Sequence, residues 1–185
     1  MKIGIVGVGY VGLVSGACFS DFGHEVTCID VDTDKINKLK RGIIPIFEPG
    51  LEALVKKHIN ASRLFFESDL KKHLNKFPVI FIAVGTPSRR EDGNADLTSL
   101  ETVVDDIALL LKDEQILVIK STVPVGTNNH ISKRLLKKSG ISIEVVSNPE
   151  FLREGSAIED FMKPDRVLVG LKTSYAKKIM SEVYK

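Results

Sequence analysis

The first apolar run of the chain, "KIGIV", leads directly into "GVGYVGL", which sets Gly7, Gly9 and Gly12 in a G-x-G-x-x-G pattern. That spacing, at the end of a strand and the start of a helix, restricts the fold more than any other feature. Gly7 allows a tight turn. Gly9 lets backbone approach a pyrophosphate where a Cβ would collide. Gly12 lets the helix pack close to the strand. Phosphates at such a turn meet the unpaired N–H groups of the helix N-terminus. The next strand candidate, "EVTCID", ends in Asp30, eighteen residues after Gly12. A carboxylate there accepts hydrogen bonds from ribose hydroxyls and repels a 2′-phosphate, which favours NAD over NADP. The alternative is a tight turn with no ligand; strand, spacing and acid together speak against it.

The rest of the chain alternates strands and helices. After 2–7 and 25–30, strand candidates fall at 63–67, 79–85, 115–121, 142–147 and 166–170. Continuous Ile and Val runs suit strands buried on both faces of a parallel sheet. Helices are expected at 10–22, from Asp32-Thr33-Asp34 to about Gly42, and at 51–58, 69–76, 98–111, 127–139 and 174–185. The alternation implies an α/β fold with a doubly wound, mainly parallel sheet, helices on both faces and right-handed crossovers. Residues 1–185 read as one domain whose last helix, 174–185, carries no capping signal.

Lys and Arg total 26 against 24 Asp and Glu, a net charge of +2, which gives no reason to expect a nucleic-acid partner. No apolar run reaches the roughly 18 residues of a membrane span. The glycine punctuation after Met1 argues against a signal peptide, so a folded domain in the cytoplasm is expected. Cys18 and Cys28 are too few for a disulfide framework and read as small core residues. His24, His58, His73 and His130 are scattered, and no metal site is expected.

Three loops follow strand ends, where ligands sit in such sheets. In "VGTPSRREDGNADLT" (84–98), Thr86 and Pro87 come first, and Arg89 and Arg90 read as solvated. In "KSTVPVGT" (120–127), Ser121, Thr122 and Thr127 bracket Pro124; Thr127 suits a helix cap and Thr122 a functional role. In "SNPEFLREGSAIED" (147–160), Glu150 and Glu154 would share a face if the segment were helical. A surface turn with Glu154 paired to Arg153 stands equally open.

Taken in order, "GVGYVGL", "FEPGL" (47–51), "VGTP" (84–87), "NADLT" (94–98), "KSTVPVGT" and "SNPEFLREG" (147–155) resemble the UDP-glucose 6-dehydrogenases of the nucleotide-sugar 6-dehydrogenase family, over essentially all 185 residues. "NPEFLREG" leans toward UDP-glucose over UDP-N-acetylmannosamine. GDP-mannose dehydrogenases, or a non-catalytic NAD-binding module, are the alternatives. The resemblance implies a Rossmann-like fold and oxidation of the sugar's C6 alcohol to a carboxylate, UDP-glucose to UDP-glucuronate, with two NAD per turnover. It implies NAD contacts from Val11, Asp30, Lys35, Thr86, Thr122 and Glu154, beside Tyr10, Pro87 and Ser121, with Lys35 at the adenosine ribose. Glu150 would act as general base or water-orienting carboxylate, with Thr122 helping to place the water. Phe151, Leu152 and Arg153 would line the sugar site with Glu150 and Glu154.

The family's nucleophile is a cysteine in a "GFGGSC"-like motif, which these residues lack. The expectation is therefore an N-terminal NAD-binding domain without the catalytic-cysteine and UDP-binding domain, inactive alone on UDP-glucose. Family members usually pair as homodimers through a later helix, so this chain is expected as a monomer.

Overall fold

In the computed structural model, which describes residues 1–185, six strands form one sheet. They are β1 (Lys2–Val6), β2 (Glu25–Ile29), β3 (Leu64–Glu67), β4 (Val79–Ile82), β5 (Ile116–Ile119) and β6 (Glu144–Ser147). Their order is β3-β2-β1-β4-β5-β6, and every neighbouring pair is parallel. The expected parallel sheet is present, with no antiparallel strand in it. The helices are α1 (Tyr10–Asp21), α2 (Thr33–Lys40), α3 (Leu51–Asn60), α4 (Leu70–His73), α5 (Thr98–Ile107), α6 (Thr127–Ser139), α7 (Ala157–Met162) and α8 (Ser174–Val183).

Alternation along each strand explains the two layers. Val79 and Phe81 of β4, with Ile116 and Val118 of β5, pack into a core shared with α1, α3, α7 and α8. Their neighbours Ile80, Ile82, Leu117 and Ile119 pack into a second core with α5 and α6. Successive side chains of a strand point to opposite faces, so runs of Ile and Val serve both. Burying each such side chain contributes about 1.5–3 kcal/mol. Phe19 of α1 joins several elements: its ring lies 5.1 Å from Phe81, 5.0 Å from Phe161 and 5.4 Å from Tyr184.

Several boundaries differ from the sequence reading. Residues 166–170 are not a strand. They touch the sheet through one antiparallel bridge, Ser147 to Gly170, while Val167 and Leu168 are 41% and 53% exposed. No layer covers them, so their apolar pattern marks no buried strand. The 69–76 helix is one turn, α4, followed by a 3₁₀ turn at Leu74–Lys76. α5 stops at Ile107 rather than 111, and the last helix ends at Val183 rather than 185. α7 lies in a stretch expected as loop. No helix is long and apolar enough to cross a membrane.

Candidate functional site

The sheet order reverses between β1 and β4, and the carboxyl ends of the strands meet there. Such a switch point leaves a crevice for ligands. Gly7 follows β1 with φ +96°, a conformation that side chains rarely adopt. A Cβ on Gly12 would lie 1.9 Å from the Gly7 carbonyl oxygen, so helix and turn are in backbone contact there. Gly9 caps α1 without a side-chain bond. A Cβ on it would meet nothing within 4 Å, so the space outside Gly9 is open. The turn is thus built from within by Gly7 and Gly12 and leaves Gly9 facing a vacant approach to the helix N-terminus.

Asp30 stands beside that approach. It accepts a 2.8 Å hydrogen bond from the Val8 N–H, one of 3.0 Å from the Asp32 N–H and one of 2.9 Å from Lys35 Nζ. Burial alone would raise its pKa. The two backbone donors and the Lys35 ammonium outweigh that and hold the carboxyl below the usual range. Lys35 is placed by α2, whose N-cap Asp32 accepts from the Lys35 N–H at 2.9 Å. The carboxylate is therefore ionised, oriented and next to the turn.

The loops after β4 and β5 are stitched to each other. Thr86 Oγ1 donates to the Thr122 carbonyl at 2.7 Å, and Ser121 Oγ to the Val84 carbonyl at 2.6 Å. Thr122 is exposed beside them, and Pro87 follows Thr86 on the same loop. Thr127 does not cap α6, as its sequence position suggested. Gly126 is the cap, and the Thr127 hydroxyl donates to the Pro124 carbonyl at 2.8 Å.

After β6 the chain is irregular through Glu150 to Arg153 and turns at Glu154 and Gly155, so Glu150 and Glu154 share no helix face. Glu150 accepts from the Leu152 N–H. Arg153 does not pair with Glu154. It grips Asp160 through two guanidinium contacts, 3.1 and 2.7 Å, and its own N–H. Glu154 is exposed, as is Phe151, while Leu152 packs on the first core. Glu150, Phe151, Leu152 and Arg153 line a cleft of about 700 Å³, together with Lys120 and Asn148.

Four residues of this region escaped the sequence reading. Lys120, at the end of β5, is 3% exposed. Its ammonium lies 3.3 Å from Asn148 Oδ1, 3.3 Å from the Tyr184 hydroxyl and 5.4 Å from the centre of the Phe161 ring. Burial pushes it down to about 8, against an opposing pull from Glu150. A lysine closing the run "ILVIK" was the available signal, since a side chain there is enclosed like its neighbours. Asn148 and Tyr184 carried none. Glu48 was visible only as part of "FEPGL". The Tyr10 hydroxyl donates to it, and burial and that bond push the phenol up to about 12. Cys18 and Cys28 are fully buried, and burial pushes both thiols up to about 12. Both are core residues, as expected, and neither is an activated thiolate.

A profile of the UDP-glucose/GDP-mannose dehydrogenase family, NAD binding domain, matches residues 1–185. The chain is 52% identical over 189 residues to a UDP-glucose 6-dehydrogenase of Rhizobium meliloti, covering all of this chain and 43% of that protein. It is 46% identical over 187 residues to one of Bacillus subtilis, again over the whole chain and 42% of the relative. Among solved structures, a UDP-glucose dehydrogenase from Pyrobaculum islandicum superposes with a TM-score of 0.93 at 36% identity, over 99% of this chain and 43% of that one. A GDP-mannose dehydrogenase from Pseudomonas aeruginosa, solved as a ternary complex, gives 0.94 at 38%, over 100% and 44%. The chain spans less than half the length of these relatives.

Proposed function

The chain belongs to the UDP-glucose/GDP-mannose dehydrogenase family, of which it is the NAD-binding domain, and from that premise we propose that it serves an enzyme oxidising UDP-glucose to UDP-glucuronate. The observation that carries the reading is the open Gly9 face beside an ionised, oriented Asp30. The residues present fit the coenzyme: the N-terminus of α1 receives the pyrophosphate between Gly7, Gly9, Val11 and Gly12, and Asp30 with Lys35 receives the adenosine ribose. Bound NAD supplies a hydride acceptor at the carboxyl edge of the sheet.

Thr86, Pro87, Ser121 and Thr122 border the nicotinamide side, with Tyr10 and Glu154 completing the NAD contacts. Glu150 holds or removes a proton at the reacting alcohol or water, Thr122 helps to orient that water, and Glu150 to Glu154 form one wall of the sugar site. UDP-glucose is favoured as substrate by the 52% and 46% identical relatives, both UDP-glucose 6-dehydrogenases. The same reading places the chain in the cytoplasm, where two unpaired thiols persist.

The test is calorimetric titration of the chain with NAD and separately with UDP-glucose. Saturable heat with NAD, and little with UDP-glucose in the absence of further chain, supports the reading. No heat with NAD refutes it.

A further inference from the structure

The segment "FEPGL" has no part in the function above, yet its acid is placed with care. Glu48 is 6% exposed. Pro49 and Gly50 turn the chain into α3, the Leu51 N–H bonds back to the Glu48 carbonyl at 3.1 Å, and the Leu51 side chain is fully buried. The carboxylate is thus carried inward on a fixed backbone. Its Oε2 accepts from the Tyr10 hydroxyl and from the Gly155 N–H at 2.8 Å. Its Oε1 accepts from the Ile158 N–H at 3.3 Å. The Gly155 N–H also lies 3.0 Å from the Tyr10 oxygen.

Neutral donors alone satisfy this buried charge, and they come from two segments far apart in sequence. Burial would raise the Glu48 carboxyl, but Tyr10 and the backbone N–H groups of α7 and Gly155 hold it below its ordinary value. Tyr10 is the first residue of α1, directly after Gly9 in the glycine turn. Gly155 directly follows Glu154, in the loop that runs from Glu150. Glu48 therefore connects the coenzyme turn to the loop that carries both candidate carboxylates.

We infer that Glu48 is a positioning residue, which fixes the 150–155 loop against the N-terminus of α1 so that order in the loop and NAD occupancy of the turn are linked. A ligand that holds the start of α1 holds Tyr10, and through Glu48 it holds Gly155. Linkage of this kind is reciprocal, so a loop released from Glu48 weakens the turn's grip on the ligand. Glutamine at 48 keeps the shape but turns an N–H toward donors. Phenylalanine at 10 removes the hydroxyl and leaves the carboxylate in place.

The linkage rests on the NAD reading; the anchor does not. Amide hydrogen exchange separates them. Without NAD, Glu48→Gln and Tyr10→Phe speed exchange at Gly155 and Ile158 by about tenfold, while Ile5 and Val118 in the sheet exchange as before. Unchanged rates at Gly155 and Ile158 overturn the anchor. With NAD, the parent chain gains further protection at these two amides and both variants lose that gain. A parent chain that binds NAD without the gain, or variants that keep it, overturns the linkage and leaves Glu48 a purely structural acid. A parent chain that binds no NAD overturns the NAD reading, with the first comparison still deciding the anchor.

Discussion

Alanine at Gly9 and alanine at Gly12 add the same methyl group three residues apart, and the structure assigns them opposite consequences. At Gly12 the new Cβ falls 1.9 Å from the Gly7 carbonyl oxygen. Close carbon–oxygen contacts lie at about 3.3 Å or more, so α1 and the turn must separate by about 1.4 Å. Overpacking a rigid interior costs about 1–3 kcal/mol, and more where backbone must move. At Gly9 the Cβ meets nothing within 4 Å, and the backbone, φ −79° and ψ −163°, is open to any residue. The remaining penalty is the weaker cap, a few tenths to about 1 kcal/mol. In a chain of this size that lowers the melting temperature by about 2–4 °C at most. The Gly9 methyl, however, points into the space a pyrophosphate needs. Gly9→Ala should therefore melt close to the parent and bind NAD at least about tenfold more weakly, about 1.4 kcal/mol. Gly12→Ala should lose stability first. Thermal unfolding and calorimetric NAD titration of the two variants read both effects. Parent-like NAD affinity in Gly9→Ala, or parent-like melting in Gly12→Ala, refutes the reasoning.

Lys120→Met removes a buried ammonium whose pKa is pushed down to about 8 from an ordinary 10.5. The native state sheds this proton before the unfolded chain does, so the lysine's contribution to stability rises with pH between about 8 and 10.5. Relative to the variant, the parent should gain up to about 3 kcal/mol across that window. A stability difference that stays flat with pH, measured by urea unfolding, rejects the burial argument. Cys18 and Cys28 should react with a thiol reagent at pH 8 only as the chain unfolds; prompt native-state labelling of either would contradict their place in the core.

The strands were legible because each of β1, β4 and β5 feeds two cores, so nearly every residue in them is apolar. α1 was legible from Gly9 and Gly12 at its start, and α6 from Gly140 at its end. The segment 166–170 misled because its Val and Leu content matches a strand while nothing covers Val167 and Leu168. α7 was hidden by its six residues, too few for a helical period to emerge. The glycine turn and Asp30 could be read directly, since their spacing is local. Glu48, Asn148 and Tyr184 could not, because their partners lie at separations of 20 to 110 residues that only the fold brings together. Arg153 turned to Asp160 rather than Glu154, because the fold brings the Asp160 carboxylate against both its guanidinium and its own N–H.

The account's central claim is that Asp30 and the Gly7–Gly12 turn together hold NAD. The most direct test titrates the parent chain and Asp30→Ala with NAD and with NADP. The parent should bind NAD in clear preference to NADP, and the variant should lose about 1–3 kcal/mol of NAD binding while the preference collapses. Equal binding of NAD by parent and variant, or a parent that takes NADP as readily, would contradict it.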